Sequence, residues 1–321
     1  MTRTATPPAP TALDALIAAQ GGLVTRSQAT RLGLSPDAID RLLAARRWVP
    51  AHPRVHRDVR YPATEETRVR AAVLWAGAGA VLTGAAAAWW WGLLDTAPEV
   101  VTVTVPRRRA PRPRAGVQVR RRGLDPADVA EHAGLAVAAP ALAVLESALD
   151  PDVAGEAYLA RILVGAAGTA GAGRAGRIAA PPPDLAALAA ARARNAGAHG
   201  SATTARMLTS AARQASTSAV HRLRALLVQE RLPGWCSDHE VAGVVLRLAF
   251  PASRVAVEVR GDGPDPLARP GGPAWRHAVL RRQGWQVHTL EPADPWQRPE
   301  ATLAGLRGAL AGTGPAGRAA G

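Results

Sequence analysis

At 321 residues the chain is long enough for two or three domains, each burying a core of ordinary size. All 39 basic residues are arginine; against 25 acidic residues they leave a formal charge of +14 and a pI near 11.5, which favours an anionic partner such as nucleic acid, although a GC-rich genome writes the same arginine, alanine, glycine and proline skew into any reading frame. The single cysteine, Cys236, excludes an intramolecular disulfide and a cysteine-based zinc cluster and fits a reducing compartment.

The opening MTRTATPPAP (1–10) reads as a disordered tail with no apolar run that could direct export, so a cytoplasmic location is expected. In TALDALIAAQ, Leu13, Leu16 and Ile17 fall at helical spacing and predict a first helix with one apolar face. Thr25 is placed to open a short second helix, and Gly33, free to adopt the left-handed conformation, to close it. Ser35 then supplies an N-cap, Pro36 suits the first helical position, and Ile39, Leu42 and Leu43 line one side of a third helix. The proline-punctuated stretch from Trp48 to His56 follows as an extended wing. Residues 11–62 therefore read as a winged helix-turn-helix. In it Arg41, Arg46 and Arg47 would lie near phosphates or base edges, and Arg54, on the wing, would touch the backbone. The competing reading is a helical hairpin used only for packing.

Residues 63–164 predict a small α/β middle domain. The uncharged stretch from Ala71 to Leu94 has the length to cross a bilayer, but it is mostly alanine and glycine, broken at Gly77, Gly79 and Thr83. It reads as parts of two buried helices, 64–76 and 84–93, with a turn between them, and no membrane partner is expected. Trp89, Trp90 and Trp91 point three ways on the second helix, which places one or two in the core and leaves another for a contact surface. Strands follow at 100–105 and in GVQVRR, with RRRAPRPRA between them as a hairpin tip. Arg107, Arg108, Arg109, Arg112 and Arg114, with Arg120 to Arg122 on the return strand, are the densest positive charge in the chain; they suit a phosphate backbone or, equally, a solvated hairpin. Residues 126–132 and 139–149 read as helices, the latter with Leu142, Leu145 and Leu149 in one stripe.

Residues 165–183, rich in glycine, alanine and proline, read as a linker; GAGRAG within it lacks the preceding strand that a dinucleotide fingerprint needs. Helices near 184–195 and 201–214 form a helical connector over 184–215. The last domain, 216–312, opens on the helix TSAVHRLRALLVQER. It continues with strands GVVLRLAF and SRVAVEV, a helix AWRHAVLRRQG closed by Gly284, and a strand WQVHTL, before a loose tail at 313–321. The histidines have no zinc-site spacing, so no metal or other cofactor is expected.

This order of elements resembles an actinobacterial family that joins an AbiEi-type antitoxin N-terminal domain to a C-terminal domain similar to very-short-patch-repair endonucleases of the PD-(D/E)xK superfamily. The resemblance rests on GGLVTRSQATRLGLSPDAIDRLLAARRWVPAHPRVHRDV, RAAVLWAGAGAVLTGAAAAWWWGLL and VTVTVPRRR in the first half. In the second it rests on TSAVHRLRALL, LRLAFPASRVAVEVRG and AVLRRQGWQV. It implies a multi-domain α/β protein with a winged helix-turn-helix, a small α/β middle domain and a restriction-endonuclease-like α/β domain. It also implies DNA binding as a transcriptional autoregulator, with DNA and a cognate toxin as partners.

In the endonuclease part the resemblance also implies a Mg²⁺ site, and the sequence departs from it. The family's acidic residue on the opening helix is His221 here, the aspartate before the AFP turn is Arg247, and Glu-x-Asp-Gly has become Glu258, Val259, Arg260, Gly261. A later helix-leading aspartate is Pro273. Magnesium needs several anionic oxygens. Side chains two apart on a strand share a face, so Glu258 and Arg260 are expected to pair, with Arg247 alongside on the next strand. A cation beside two guanidiniums would be opposed by about 4 kcal/mol per close pair at an effective dielectric of about 20. The expectation is a domain at the vestigial positions Glu258, His221, Arg247 and Arg260 that does not cleave DNA. The alternative is a metal-dependent endonuclease in which Asp262 and Asp265 replace the lost ligands.

Overall fold

Helix α1 (Ala12–Ala19) begins where the Thr11 hydroxyl accepts the Asp14 amide at 3.1 Å. Strand β1 (Leu23–Thr25) leads into α2 (Arg26–Arg31), whose start is a capping box: Thr25 Oγ1 accepts the Gln28 amide and Gln28 Oε1 accepts the Thr25 amide. Gly33 at φ 93° ends that segment, as its sequence position predicts, and Ser35 caps α3 (Pro36–Ala44), with Pro36 at its first position. Strands β2 (Trp48–His52) and β3 (Val55–Asp58) complete a three-stranded antiparallel sheet in the order β1-β3-β2. Its two faces are both covered. Val24 and Trp48 pack with Ile17, Ala29 and Ile39 of the three helices, while Leu23 and Val55 pack against Ala71 of α4 (Glu65–Ala76).

In the computed structural model, which describes residues 11–166, 179–261 and 273–312, the chain divides into two units. One comprises Met1–Ser147 with Ala170–Ala179 and the other Ala148–Thr169 with Ala180–Gly321. The mixed α/β, multi-domain class is as the sequence predicts. The tails 1–10 and 313–321, most of the linker and its GAGRAG stretch lie outside the described residues.

The first unit continues after α4 through β4 (Val81–Leu82), α5 (Gly84–Trp90), β5 (Val101–Val105), β6 (Val117–Arg121), β7 (Val129–His132), β8 (Leu135–Ala138) and α6 (Pro140–Ser147). The strands form a five-stranded sheet in the order β6-β5-β4-β8-β7. Two expectations are corrected here. Strands β5 and β6 are parallel, with Val101 opposite Val117, so residues 106–116 are a crossover and not a hairpin tip. Prolines 106, 111 and 113 cannot continue a ladder, and the run is long enough to return the chain to the level at which β5 began. Residues 126–132 are not a helix either: Asp125 caps a single 3₁₀ turn, Pro126–Asp128, and the rest is β7. Ala133 and Gly134, both at positive φ, make the two-residue turn that pairs β7 with β8 and outweighs the helical pattern. Trp89, Trp90 and Trp91 are all buried, so none is left over for a contact surface. The indole of Trp91 donates to Ala138 O at 2.8 Å and that of Trp90 to His132 O at 3.2 Å. Among the described residues no helix is long and apolar enough to cross a membrane.

In the second unit, α7 (Gly155–Leu163), which the sequence reading assigned to the middle domain, packs along α9. After α8 (Leu185–Arg194), α9 runs unbroken from Ser201 to Gln229, 29 residues that the sequence divided into a connector helix and a domain-opening helix. A continuous buried stripe, Leu208, Ala212, Ala215, Ala219, Leu223 and Leu226, explains the fusion. A hairpin of β9 (His239–Val241) and β10 (Val244–Leu246) precedes the sheet β11-β12-β13 (Ala249–Phe250, Val255–Val259, Gln286–Leu290). Strands β12 and β13 are parallel and joined through α10 (Pro273–Arg282); α11 (Asp294–Gln297) and α12 (Pro299–Gly312) close the unit. On β12, Val255, Val257 and Val259 face α9 and α12, while Ala256 packs with Leu280 of α10 and with Trp285.

Candidate nucleic-acid interface and the Glu258 cluster

The end of α3 and the tip of the β2–β3 hairpin carry the arginines singled out in the sequence. Arg41, Arg46, Arg47 and Arg54 are exposed, and among the described residues none of them has an ion-pair partner. Arg46 (φ 54°) and Arg54 (φ 64°) adopt the left-handed conformation, at a cost of about 1 kcal/mol or more each, which turns the chain out of α3 and around the hairpin. Two neighbouring arginines, Arg26 and Arg60, are held by carboxylates. Arg26 makes a two-pronged pair with Asp40 at 2.7 and 3.1 Å, linking α2 to α3 and holding the Asp40 carboxyl below the usual carboxylate range. Its amide donates to Arg54 O at 2.8 Å, which ties the start of α2 to the hairpin tip. Arg60 bridges Asp58 and Asp14; burial works against the charge on Asp58, but the Arg60 hydrogen bonds outweigh it and keep that carboxyl low.

Two histidines lie beneath this surface. His56 stacks on Trp48 with ring centroids 6.0 Å apart, and among the described residues neither of its nitrogens finds a partner. Burial, then the charge of Arg26, pushes its pKa down. His52 stacks on Trp75 and is pushed down by burial and by Arg114.

The arginine run of residues 107–122 does not act as one cluster. Arg107, Arg108, Arg112 and Arg114 are exposed, whereas Arg109 turns back to donate to Ala78 O at 2.9 Å beside Gly77. Arg120 and Arg122 point at buried Glu146, which also accepts the Gly84 amide at 2.9 Å. Sequence reading missed Glu146. It stands in an apolar helix at a position where only a buried carboxylate would be out of place, and that was the available signal.

Glu258 is 8% exposed and projects from the α10 face of β12, yet it does not pair with Arg260 or Arg247 as the strand alternation suggested. Its Oε1 accepts from Arg276 Nε at 3.1 Å and its Oε2 bonds His277 Nε2 at 2.7 Å, both on α10; Arg276 also donates to Val245 O. Arg260, one residue past β12, instead donates to Glu291 at 2.5 Å. Arg247 reaches Thr217 Oγ1 on α9 at 3.1 Å, and His221 is exposed on that helix. The four vestigial positions are therefore not brought together. Both oxygens of the buried Glu258 carboxylate are hydrogen-bonded by α10 side chains. Among the described residues no three His, Cys, Asp or Glu side chains converge on a metal position; Asp262 and Asp265 lie outside the described residues, as does the side chain of Pro273. Arg276 and His277 were legible as helix residues but not as the partners of Glu258, since only the β12-α10-β13 crossover sets them opposite it.

No curated protein matches the chain. Among solved structures it is similar to the crystal structure of the RV2827C protein from Mycobacterium tuberculosis, at 21% identity over 63% of this chain and 76% of that one, with a TM-score of 0.39, a likeness from which neither fold nor function transfers. Residues 78–170, the span that holds β4 to β8 and α5 to α7, match the family model described as the AbiEi antitoxin C-terminal domain.

Proposed function

We propose that this protein is a DNA-binding regulator of the AbiEi antitoxin type, cytoplasmic and paired with a cognate toxin, whose residues 11–62 act as a winged helix-turn-helix. The antitoxin-domain match at residues 78–170 supports the system; the observation that carries DNA binding is the set of exposed guanidiniums at Arg41, Arg46, Arg47 and Arg54, which have no ion-pair partner among the described residues while Arg26 and Arg60 are held by carboxylates. The order α1-β1-α2-α3-β2-β3, with a three-stranded antiparallel sheet, fits that reading. Arg107 and Arg108 are candidates for added backbone contacts. A mobility shift with the protein's own promoter, repeated over a salt series, tests it. Binding should weaken with salt, and Arg46→Ala with Arg47→Ala should lower the slope by roughly 0.9 for each phosphate that is no longer neutralised. No shift at low salt would remove the reading.

Residues 216–312 we read as a nuclease-like fold without cleavage, supported by the occupancy of Glu258 by Arg276 and His277. Purified protein should leave supercoiled plasmid intact with Mg²⁺ or Mn²⁺; nicking that disappears in Glu258→Ala would establish the endonuclease alternative instead.

A further inference from the structure

We propose that α3 selects its DNA sequence through two neighbouring side chains of opposite charge: Asp37 accepting from a cytosine amino group and Arg41 donating to a guanine edge within about two base pairs of it. The inference rests on the DNA-binding reading and names the class of duplex that reading leaves open, one with a G·C-rich contact core. Ile39 is the buried anchor of α3, and a helix turns 100° per residue, so Asp37 and Arg41 lie within about 20° of the direction opposite it. Both are exposed, and among the described residues neither has an ion-pair partner, not even the other. Asp40 is different. It sits on the flank toward α2, where Arg26 neutralises it with two hydrogen bonds.

A free carboxylate at the centre of a surface that meets phosphates is repelled unless it accepts a hydrogen bond from a base. The major groove has two amino donors. Adenine N6 lies between two acceptors, its own N7 and O4 of the paired thymine, which would repel the second carboxylate oxygen; cytosine N4 has an acceptor on one side only, O6 of the paired guanine, and an apolar C5 edge on the other, so the carboxylate fits cytosine better. Arg41 carries the fork that matches guanine O6 and N7. One helical turn separates the two residues by about 6 Å, within about two base-pair steps of about 3.4 Å. An acid in the first turn of a helix also complements the helix dipole, and that role alone would leave base preference untouched.

The test is selection of binding sites from a random duplex library by the full chain, wild type and Asp37→Asn, with salt-dependent binding to bulk DNA measured alongside and a melting curve confirming that each variant folds. The wild type should enrich a C·G pair next to a G·C pair. In Asp37→Asn the cytosine preference should fall about tenfold or more and move toward adenine, which an amide matches on both N6 and N7, with the salt slope unchanged. Arg41→Ala should erase the guanine preference. Salt-dependent binding with no enriched sequence, or enrichment that Asp37→Asn leaves intact, would overturn this proposal while sparing the DNA-binding reading. Absence of any binding at low salt would overturn both.

Discussion

At the scale of the residue, Glu146 decides how much of the arginine run is available to a partner. Its carboxylate is buried and takes Arg120, Arg122 and the Gly84 amide, so these two arginines hold the first unit together and are not free for phosphate. Glu146→Gln should destabilise by about 2–3 kcal/mol, below the value for a fully buried pair because both guanidiniums are partly solvated. A lower urea midpoint with an unchanged m-value would show it. DNA affinity should change little in native conditions, since Arg41, Arg46, Arg47 and Arg54 are elsewhere in the sequence and unpaired. Glu258 makes a comparable set of bonds: its two oxygens are hydrogen-bonded by Arg276 and His277, which ties β12 to α10.

At the scale of the element, glycine separates helices that need close approach from helices that do not. A Cβ on Gly155, at the start of α7, would lie 2.1 Å from Ala148 O and 3.2 Å from Met207 Sδ, so the backbone itself is in the way. Gly155→Ala should cost about 1–3 kcal/mol despite the gain in helix propensity. Gly308, inside α12, meets nothing within 4 Å, and Gly308→Ala should stabilise by roughly 0.5–1 kcal/mol. Melting temperatures that moved in the same direction for both would contradict this packing. The capping residues Thr25 and Ser35 were readable because their chemistry is local. The β5–β6 pairing was not, since a proline-rich run suits a hairpin and a crossover alike until the strands around it choose a register.

At the scale of the whole molecule, acid should act on both units with one sign. His52, His56 and His288 have pKa values pushed down, in each case first by burial, so the unfolded chain binds their protons more readily. Stability held above the ordinary histidine value of about 6.5 is then lost as pH falls through it toward the lowered native values. The carboxyls of Asp40 and Asp58, also held low by their arginines, extend the loss below pH 4. The positive net charge, already +14, grows over the same range and adds self-repulsion. Thermal melts should therefore decline steadily from pH 7.5 to 5, and His56→Phe should flatten part of that decline; a midpoint that rose on acidification would refute the sign. By itself the sequence determined the caps at Thr25 and Ser35, the apolar stripes of α3 and α6 and the mixed α/β class, because each depends on residues near one another along the chain. Tertiary structure alone decided that α9 is one helix, that the unit boundary falls at Ala148 and that Arg276 and His277 fill Glu258. Those outcomes depend on which distant surfaces meet, and no local periodicity encodes that choice.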